Sequence, residues 1–487
     1  MPDLDTGPSL AQHSGPRDHR LRGGALGMVD IAASTMANIG PAMSFFFGFG
    51  FLATTAGVAS PLTIIAAGIA VALLGNTLAQ FSKAHPSAGG FITFVGKTFG
   101  PTSAVSTALL VGLGYIIAMA SVIAISGGFL SITIKHYAGV DTPWIIWTLL
   151  LTGLAVVLMI RGVAVSTKLA GFFFGIEMLV LVVVSVVAIA RHGAHLSSAP
   201  FMPGHIKGGL TGLAEGFPLA VYLFIGWENS AALAEETDNP RRNVGRAVFF
   251  SVATMAVSYV LFSYATITGF GYDIDKLGAS EIPFVDVAQT TMGAVAFVAY
   301  LAGLTSTLGA LIAGTNSQAR LIFNAGREGL LPSFIGYVHP TRRTPTNAIL
   351  TFVAISLLII GGWGLGHLLG HHGHMDPTGF FAESSTMGTI LILLVYLASN
   401  VALPFYYRRY RPAEFHLVKH VLLPALGALA IIVPLYYLVK PGQPAPYNWF
   451  PYLALALVVA AVGYALYLTR KDPTLGERVG SIVADGH

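Results

Sequence analysis

Apolar residues run along this chain in long blocks rather than in short alternations. Blocks of the length a helix needs to cross a bilayer core, roughly 20 residues, recur near residues 26–52, 58–82, 101–133, 142–160, 164–190 and 209–235. Six more follow near 245–270, 287–318, 346–366, 379–404, 420–439 and 449–469. The pattern predicts an all-α integral membrane protein of twelve transmembrane helices with no separate soluble domain. Polar residues are confined to the connections and to the two ends, 1–24 and 470–487. The first of these carries Arg17, Arg20 and Arg22 without an apolar core, unlike a cleaved secretory signal.

Two of the blocks contain something a plain apolar span does not. Asn38 to Ser44 reads NIGPAMS and Phe224 to Ser230 reads FIGWENS, with the shared Ile-Gly pair 186 residues apart, in the first and sixth spans. Pro41 has no N–H to donate and its ring crowds the carbonyl four residues back, so the first span should kink or open at Gly40-Pro41. In the sixth, Gly226 with Trp227, Glu228 and Asn229 marks a second interruption. Unpaired backbone in hydrocarbon costs several kcal/mol per group, so such breaks persist where protein or a water-filled cavity satisfies them. Taking 25–190 as one five-helix unit and 209–404 as another, the units start on opposite sides of the membrane, an inverted 5+5 repeat. Two further helices (420–469) complete the chain.

Composition agrees: 54% of the 487 residues are hydrophobic and 10% are charged, less than half the charged share of an average soluble domain. With no cysteine, disulfides, thiolate metal sites and cysteine nucleophiles are excluded. The net charge of +4 is too small to suggest a nucleic-acid partner. Its placement is more informative. With the N-terminus inside, 21 of the 26 Lys and Arg residues fall in inner regions, leaving Lys135, Arg191, Lys207, Lys276 and Lys440 outside. That asymmetry predicts a multi-pass protein of the cytoplasmic membrane with both termini cytoplasmic and lipid as its surroundings. Oligomeric state is not encoded in any feature of the chain.

The stretch FIGWENSAALAEETDNPRRNVGRA, beginning at Phe224, resembles the helix 6 signature of the amino acid, polyamine and organocation (APC) superfamily of permeases. HPSAGGF (His85 to Phe91) is similar to that family's loop after helix 2, with Phe91 where a Tyr is usual. REGLLP (Arg327 to Pro332), followed by VHPTRRTP, is similar to its loop after helix 8. The resemblance implies a LeuT-like fold and a secondary active transporter moving amino acids by alternating access, as proton-coupled symport or exchange. Its small-molecule substrate would sit between the broken helices. A polyamine or other amine carrier is the alternative. An enzyme would need clustered His, Asp or Ser chemistry at a membrane face, and the buried acids here are single and scattered. No cofactor is expected.

The resemblance also implies site residues. N–H groups at Ala42, Met43 and Ser44, starting the outer half of helix 1, are expected to hold a substrate carboxylate, with Asn38, Ile39 and Gly40 forming the break. The family's helix 1 usually carries two glycines here, and this chain keeps one and inserts a proline. On helix 6, the carbonyls of Tyr222, Leu223 and Ile225 fall where members hold an amino group. Tyr222 itself stands where some place a gating aromatic, with Phe224, Trp227 and Glu228 alongside. Glu177 stands where many relatives carry a lysine that replaces a sodium ion.

Ionisable groups within the membrane are costly and are functional candidates by default. Glu228, beside the break, and Glu177, with no other charge within eight residues, are the expected carriers of the coupling charge. Capping of the lower half-helix by Glu228, and a neutral carboxylic acid bonded to a neighbouring helix for Glu177, are the plainer readings. Glu215 is expected at the outer end of helix 6 in an exposed or capping role. Thr305-Ser306-Thr307 are expected to back-bond their own helix rather than hold sodium. His367, His371, His372 and His374 read as a solvated Gly-rich loop rather than a metal site.

Overall fold

The computed structural model describes Leu21, residues 23–370 and residues 375–484. Most of the expected polar tail and His371, His372 and His374 therefore lie outside the described residues. Helices account for nearly all regular structure. In chain order they are α1 (Met28–Ile39), α2 (Pro41–Ala56), α3 (Ser60–Ala84), α4 (Phe91–Phe99), α5 (Pro101–Ala138), α6 (Trp144–Arg161), α7 (Val163–Arg191), α8 (Leu210–Tyr222) and α9 (Asn229–Ala232). Then come α10 (Pro240–Gly269), α11 (Ile274–Ala279), α12 (Pro283–Met292), α13 (Phe297–Arg327), α14 (Thr346–Leu369), α15 (Pro377–Tyr410), α16 (Leu423–Val439), α17 (Phe450–Lys471) and α18 (Leu475–Arg478). No strand forms among the described residues; an isolated parallel bridge joins Leu26 to Thr237.

Ten helical segments among the described residues are long and apolar enough to cross a bilayer. One of them, Met28–Ala84, has 57 residues. Drawn out straight it would span about 85 Å, far more than one crossing, and it is broken at Gly40 and again at Gly57–Ala59. Helix 6 is missing from the ten because its interruption leaves two short pieces, α8 and α9.

The layering follows from which faces the sequence makes apolar. In α5 and α15, which pack along each other, 72% of the most apolar window is buried; in α6, α16 and α17 that share drops to between 17% and 22%. The exposed side chains of these outer helices include Leu149, Leu150 and Leu154 of α6 and Leu453, Leu455 and Val459 of α17. An apolar exterior of this kind suits lipid, where a soluble protein would place charge.

One expected element differs. The block near 287–318 is two helices, α12 and α13, parted at Gly293, whose φ of +57° lies in the left-handed region. Consequently α13 runs nine residues past the expected end, and Arg320, which the charge count assigns to a loop, lies fully buried inside it. The polar run from Thr315 to Gln318 closes the expected block because the partners that allow the helix to continue are distant in sequence: Asn316 Nδ2 donates to Ser166 Oγ at 2.7 Å.

Both described ends of the chain lie on one face. The Leu21 N–H donates to Glu235 Oε1 at 2.8 Å, and the Ala484 N–H donates to the Pro86 carbonyl at 2.8 Å. We refer to this as the terminal face.

Candidate functional site

The first break is one residue long. Gly40, with φ +60° and ψ +67°, ends α1 by donating to the Met36 and Ala37 carbonyls, and Pro41 at once begins α2. A Cβ at Gly40 would lie 3.1 Å from Ala310 Cβ and 3.5 Å from Ser306 Oγ, so the left-handed dihedral favours glycine and the space for a side chain is tight. The first-turn donors of α2 are the groups that make a helix N-terminus an anion site. Here they have partners already. Pro41 has no donor, the Ala42 N–H points to Glu177 Oε2 at 3.5 Å, the Met43 N–H donates to Ser306 Oγ at 3.0 Å, and the Ser44 N–H donates to the Gly40 carbonyl at 2.8 Å. Ser44 Oγ reaches across the break to the Ile39 carbonyl at 2.7 Å. Glu177, fully buried on α7, thus brings a carboxyl of the protein's own to the positive end of the outer half-helix.

The second break is wider. Six residues, Leu223–Glu228, separate α8 from α9 as a chain of turns. Gly226 adopts φ +106°, and a Cβ there would fall 2.8 Å from Asn38 Nδ2 and 3.2 Å from the Asn38 carbonyl carbon. Its glycine is what lets the two breaks touch: Asn38 Nδ2 donates to the Gly226 carbonyl at 3.2 Å. The Tyr222 carbonyl accepts from the Ile225 N–H and that of Phe224 from the Trp227 N–H. No donor among the described residues meets the carbonyls of Leu223 and Ile225.

Below this break, Tyr115 of α5 donates its hydroxyl to Glu228 Oε1 at 2.5 Å, while Glu228 Oε2 has no partner at full hydrogen-bond geometry among the described residues, the Tyr396 hydroxyl standing near it. Trp227 packs edge-on against Tyr396 and Phe91. Sequence reasoning did not find Tyr115 or Tyr396; each sits in a plain apolar run, and nothing local distinguishes it from a packed aromatic.

Towards the terminal face the AEE segment after α9 is bound to α13 by two ion pairs. Glu236 takes Arg320 in a fully buried, two-pronged ion pair, Nε to Oε2 at 2.5 Å and Nη2 to Oε1 at 3.2 Å. Glu235 takes Arg327 in the same manner at 2.9 and 2.6 Å. Leu26 exchanges backbone bonds with Glu236 and Asp238, tying the start of α1 to the end of helix 6.

On the opposite side a cavity of about 420 Å³ opens between α2, α8, α15 and the end of α16. Its floor is aromatic: Tyr222 and Phe47 both meet Phe381, with ring centroids 6.0 and 5.7 Å apart. At its mouth Glu215 and Lys440 approach to 3.4 Å while half exposed. Of the residues expected to bind substrate, Tyr222 lines this cavity and Glu228 lines a separate void of about 10 Å³. Asn38, Ile39, Gly40, Ala42, Met43, Ser44, Leu223, Phe224 and Trp227 are buried between the two, with Ile225 half-buried beside them.

Of the helix 8 hydroxyls, Thr305 and Thr307 back-bond their own helix while Ser306 serves α2. No group of three or more potential metal ligands occurs among the described residues.

A model of the amino acid permease family matches residues 26–462. Over 443 residues the chain is 24% identical to the branched-chain amino acid permease BcaP of Bacillus subtilis, covering 87% of this chain and 89% of that one. It is 26% identical over 366 residues to the methylthioribose transporter of the same organism, covering 70% and 75%. A crystal structure of a mutant manganese transporter from Eremococcus coleocola superposes with a TM-score of 0.55 over 92% of this chain and 95% of that one, at 11% identity. That last likeness is one of fold.

Proposed function

The chain belongs to the amino acid permease family, and we propose that it carries amino acids across the cytoplasmic membrane by alternating access, coupled to protons, with its substrate held where the two breaks meet. In this reading the chain crosses twelve times and the terminal face is cytoplasmic. The observation that carries it is the contact of the breaks: Asn38 on the Gly226 carbonyl, with the free carbonyls of Leu223 and Ile225 beside it. A substrate ammonium would bond those carbonyls, which meet no other donor among the described residues. The ion pairs of Glu235 and Glu236 with helix α13 act as the inner gate, and Tyr222 and Phe47, both against the ring of Phe381, act as the outer one. Glu177 and Glu228 are the carboxyls that exchange the proton.

A second reading is favoured by one feature. The donors that would take a substrate carboxylate are engaged by Glu177 and Ser306, so a substrate with no carboxylate, an amine or polyamine, would need no rearrangement there. For an amino acid to bind, Glu177 must give up the Ala42 N–H, a step protonation of its carboxyl would ease. Counterflow into proteoliposomes decides between them. Radiolabelled neutral amino acids are expected to exchange and putrescine is not; exchange of putrescine alone overturns the first reading.

A further inference from the structure

Among the described residues Glu228 Oε2, Asn229 Oδ1 and Gln318 Oε1 are buried without a donor at full hydrogen-bond geometry, the Tyr396 hydroxyl standing near Glu228, and their residues line the same void of about 10 Å³, with Gly90, Ser317 and Leu321 among its walls. Three unpaired acceptors around a space of one water's size form a polar chamber that a single water can serve with both its protons.

From that chamber a polar stripe descends α13. At 100° per residue Ser317, Leu321, Asn324 and Glu328 share one face, covering about 16 Å from mid-membrane to the terminal face. The stripe is held against the turn after α3: a Cβ on Gly89 would lie 2.5 Å from Asn324 Nδ2, and Leu321 Cδ2 stands 3.4 Å from the Cβ position of Gly90. Among the described residues Asn324 Nδ2 and both carboxyl oxygens of Glu328 lack a partner at full hydrogen-bond geometry, with the Asn324 amide and the Gly480 N–H standing beside the carboxyl, although Glu328 is 1% exposed. Unpaired polar atoms thus stand at both ends of the face, with Leu321 the one apolar residue between them.

We propose that this face of α13 is the inner proton route, joining Glu228 to the cytoplasm through the chamber and ending on Glu328. The inference rests on the proton-coupled reading above. A proton leaves the Glu228 carboxyl for water in the chamber, passes Leu321 when the Gly89–Gly90 turn moves off α13, and protonates the Glu328 carboxylate, which releases it to the cytoplasm. Asn324 orients water and carries no proton itself.

The surroundings of Glu328 suit a relay station. Burial pushes its carboxyl up to about 7, against the pull of the Gly480 N–H and the Asn324 amide and of the charges on Arg327 and on Lys97 of α4. Nearby, Arg478 donates from Nε to the Glu328 backbone carbonyl at 3.2 Å and is paired with Asp472, Glu235 holds Arg327, and His85 Nε2 lies 3.0 Å from the Gly480 carbonyl.

The test uses the full chain in proteoliposomes carrying a pH dye, with amino-acid-driven proton flux and isotope counterflow measured on the same preparation. Glu328→Gln is expected to cut proton flux at least tenfold while counterflow stays within about twofold, and Glu328→Asp is expected to restore the flux. Asn324→Leu, which keeps the carboxyl but removes the water-orienting amide, is expected to show the same split. Equal loss of flux and counterflow in both Glu328→Gln and Asn324→Leu would make these residues structural and overturn the route. Unchanged flux in Glu328→Gln, with wild type pumping protons, would overturn the route alone. Absence of substrate-driven flux in wild type would overturn it together with the coupled reading.

Discussion

The two breaks solve the same problem in opposite ways. At Gly40 the chain turns within a single residue, and every first-turn N–H of the outgoing helix is satisfied from within, by Glu177, Ser306 and Gly40 itself. At Leu223–Glu228 the chain unwinds over six residues and leaves two carbonyls without donors among the described residues. A membrane interior punishes unpaired groups, so the narrow break is the settled one and the wide break is the one with work left for a ligand. In the proposed reading the first break positions and the second binds.

The comparison can be broken most severely at the ion pair that holds the lower end of the second break. Glu236→Ala would leave Arg320 buried and unpaired, a loss of about 3–5 kcal/mol; thermal unfolding in detergent should show it, and an unchanged midpoint would mean the pair adds nothing. Next comes Gly226→Ala. At φ +106° with Asn38 2.8 Å away, an added methyl should push the breaks apart and reduce uptake by two orders of magnitude, about 3 kcal/mol. Gly40→Ala, where the conformation is an ordinary left-handed one and the nearest atom is a methyl at 3.1 Å, should cost about 1–2 kcal/mol and leave measurable uptake. Reversal of that order would contradict the division of labour between the breaks.

Gentler still is Glu228→Gln, which keeps the Tyr115 contact but cannot titrate. It should flatten the pH dependence of uptake, and an unaltered profile would assign Glu228 to capping α9. The smallest effect concerns Glu328. Its carboxyl is raised above the usual value near 4.5 to about 7 in the folded protein. The folded state therefore binds this proton more tightly than the unfolded state. Its contribution to stability is fully present below about pH 4.5 and is lost as pH rises through 7. Across that window the melting midpoint of wild type should fall relative to Glu328→Gln by on the order of 2 °C; an opposite slope would refute the assignment.

Much of this was legible in the chain. The long apolar blocks gave the all-α membrane fold, because lipid removes the polar face that usually conceals such helices, and Gly40-Pro41 and Gly226 announced the breaks through residues whose backbone chemistry is unambiguous. What the first break does with its donors was hidden, since Glu177 and Ser306 lie 135 and 263 residues from the N–H groups they serve. Arg320 was misplaced for a related reason. A charged residue after Asn316 and Gln318 looks like solvent-facing loop until Glu236, 84 residues earlier, is brought against it. The partition at Gly293 was lost because Gln289, Thr290 and Thr291 before it carry no charge and apolar residues resume directly after it. Tyr115, on Glu228, carried no signal of its own.

The central claim is that the gap left by the second break, closed on one side by the first, is where substrate lies. A density map of the protein saturated with a transported amino acid tests it most directly. The account predicts the ammonium within hydrogen-bond distance of the Leu223 and Ile225 carbonyls, beside Asn38. Substrate seated above Tyr222 and Phe381 in the outer cavity, with both breaks untouched in the same map, would contradict it.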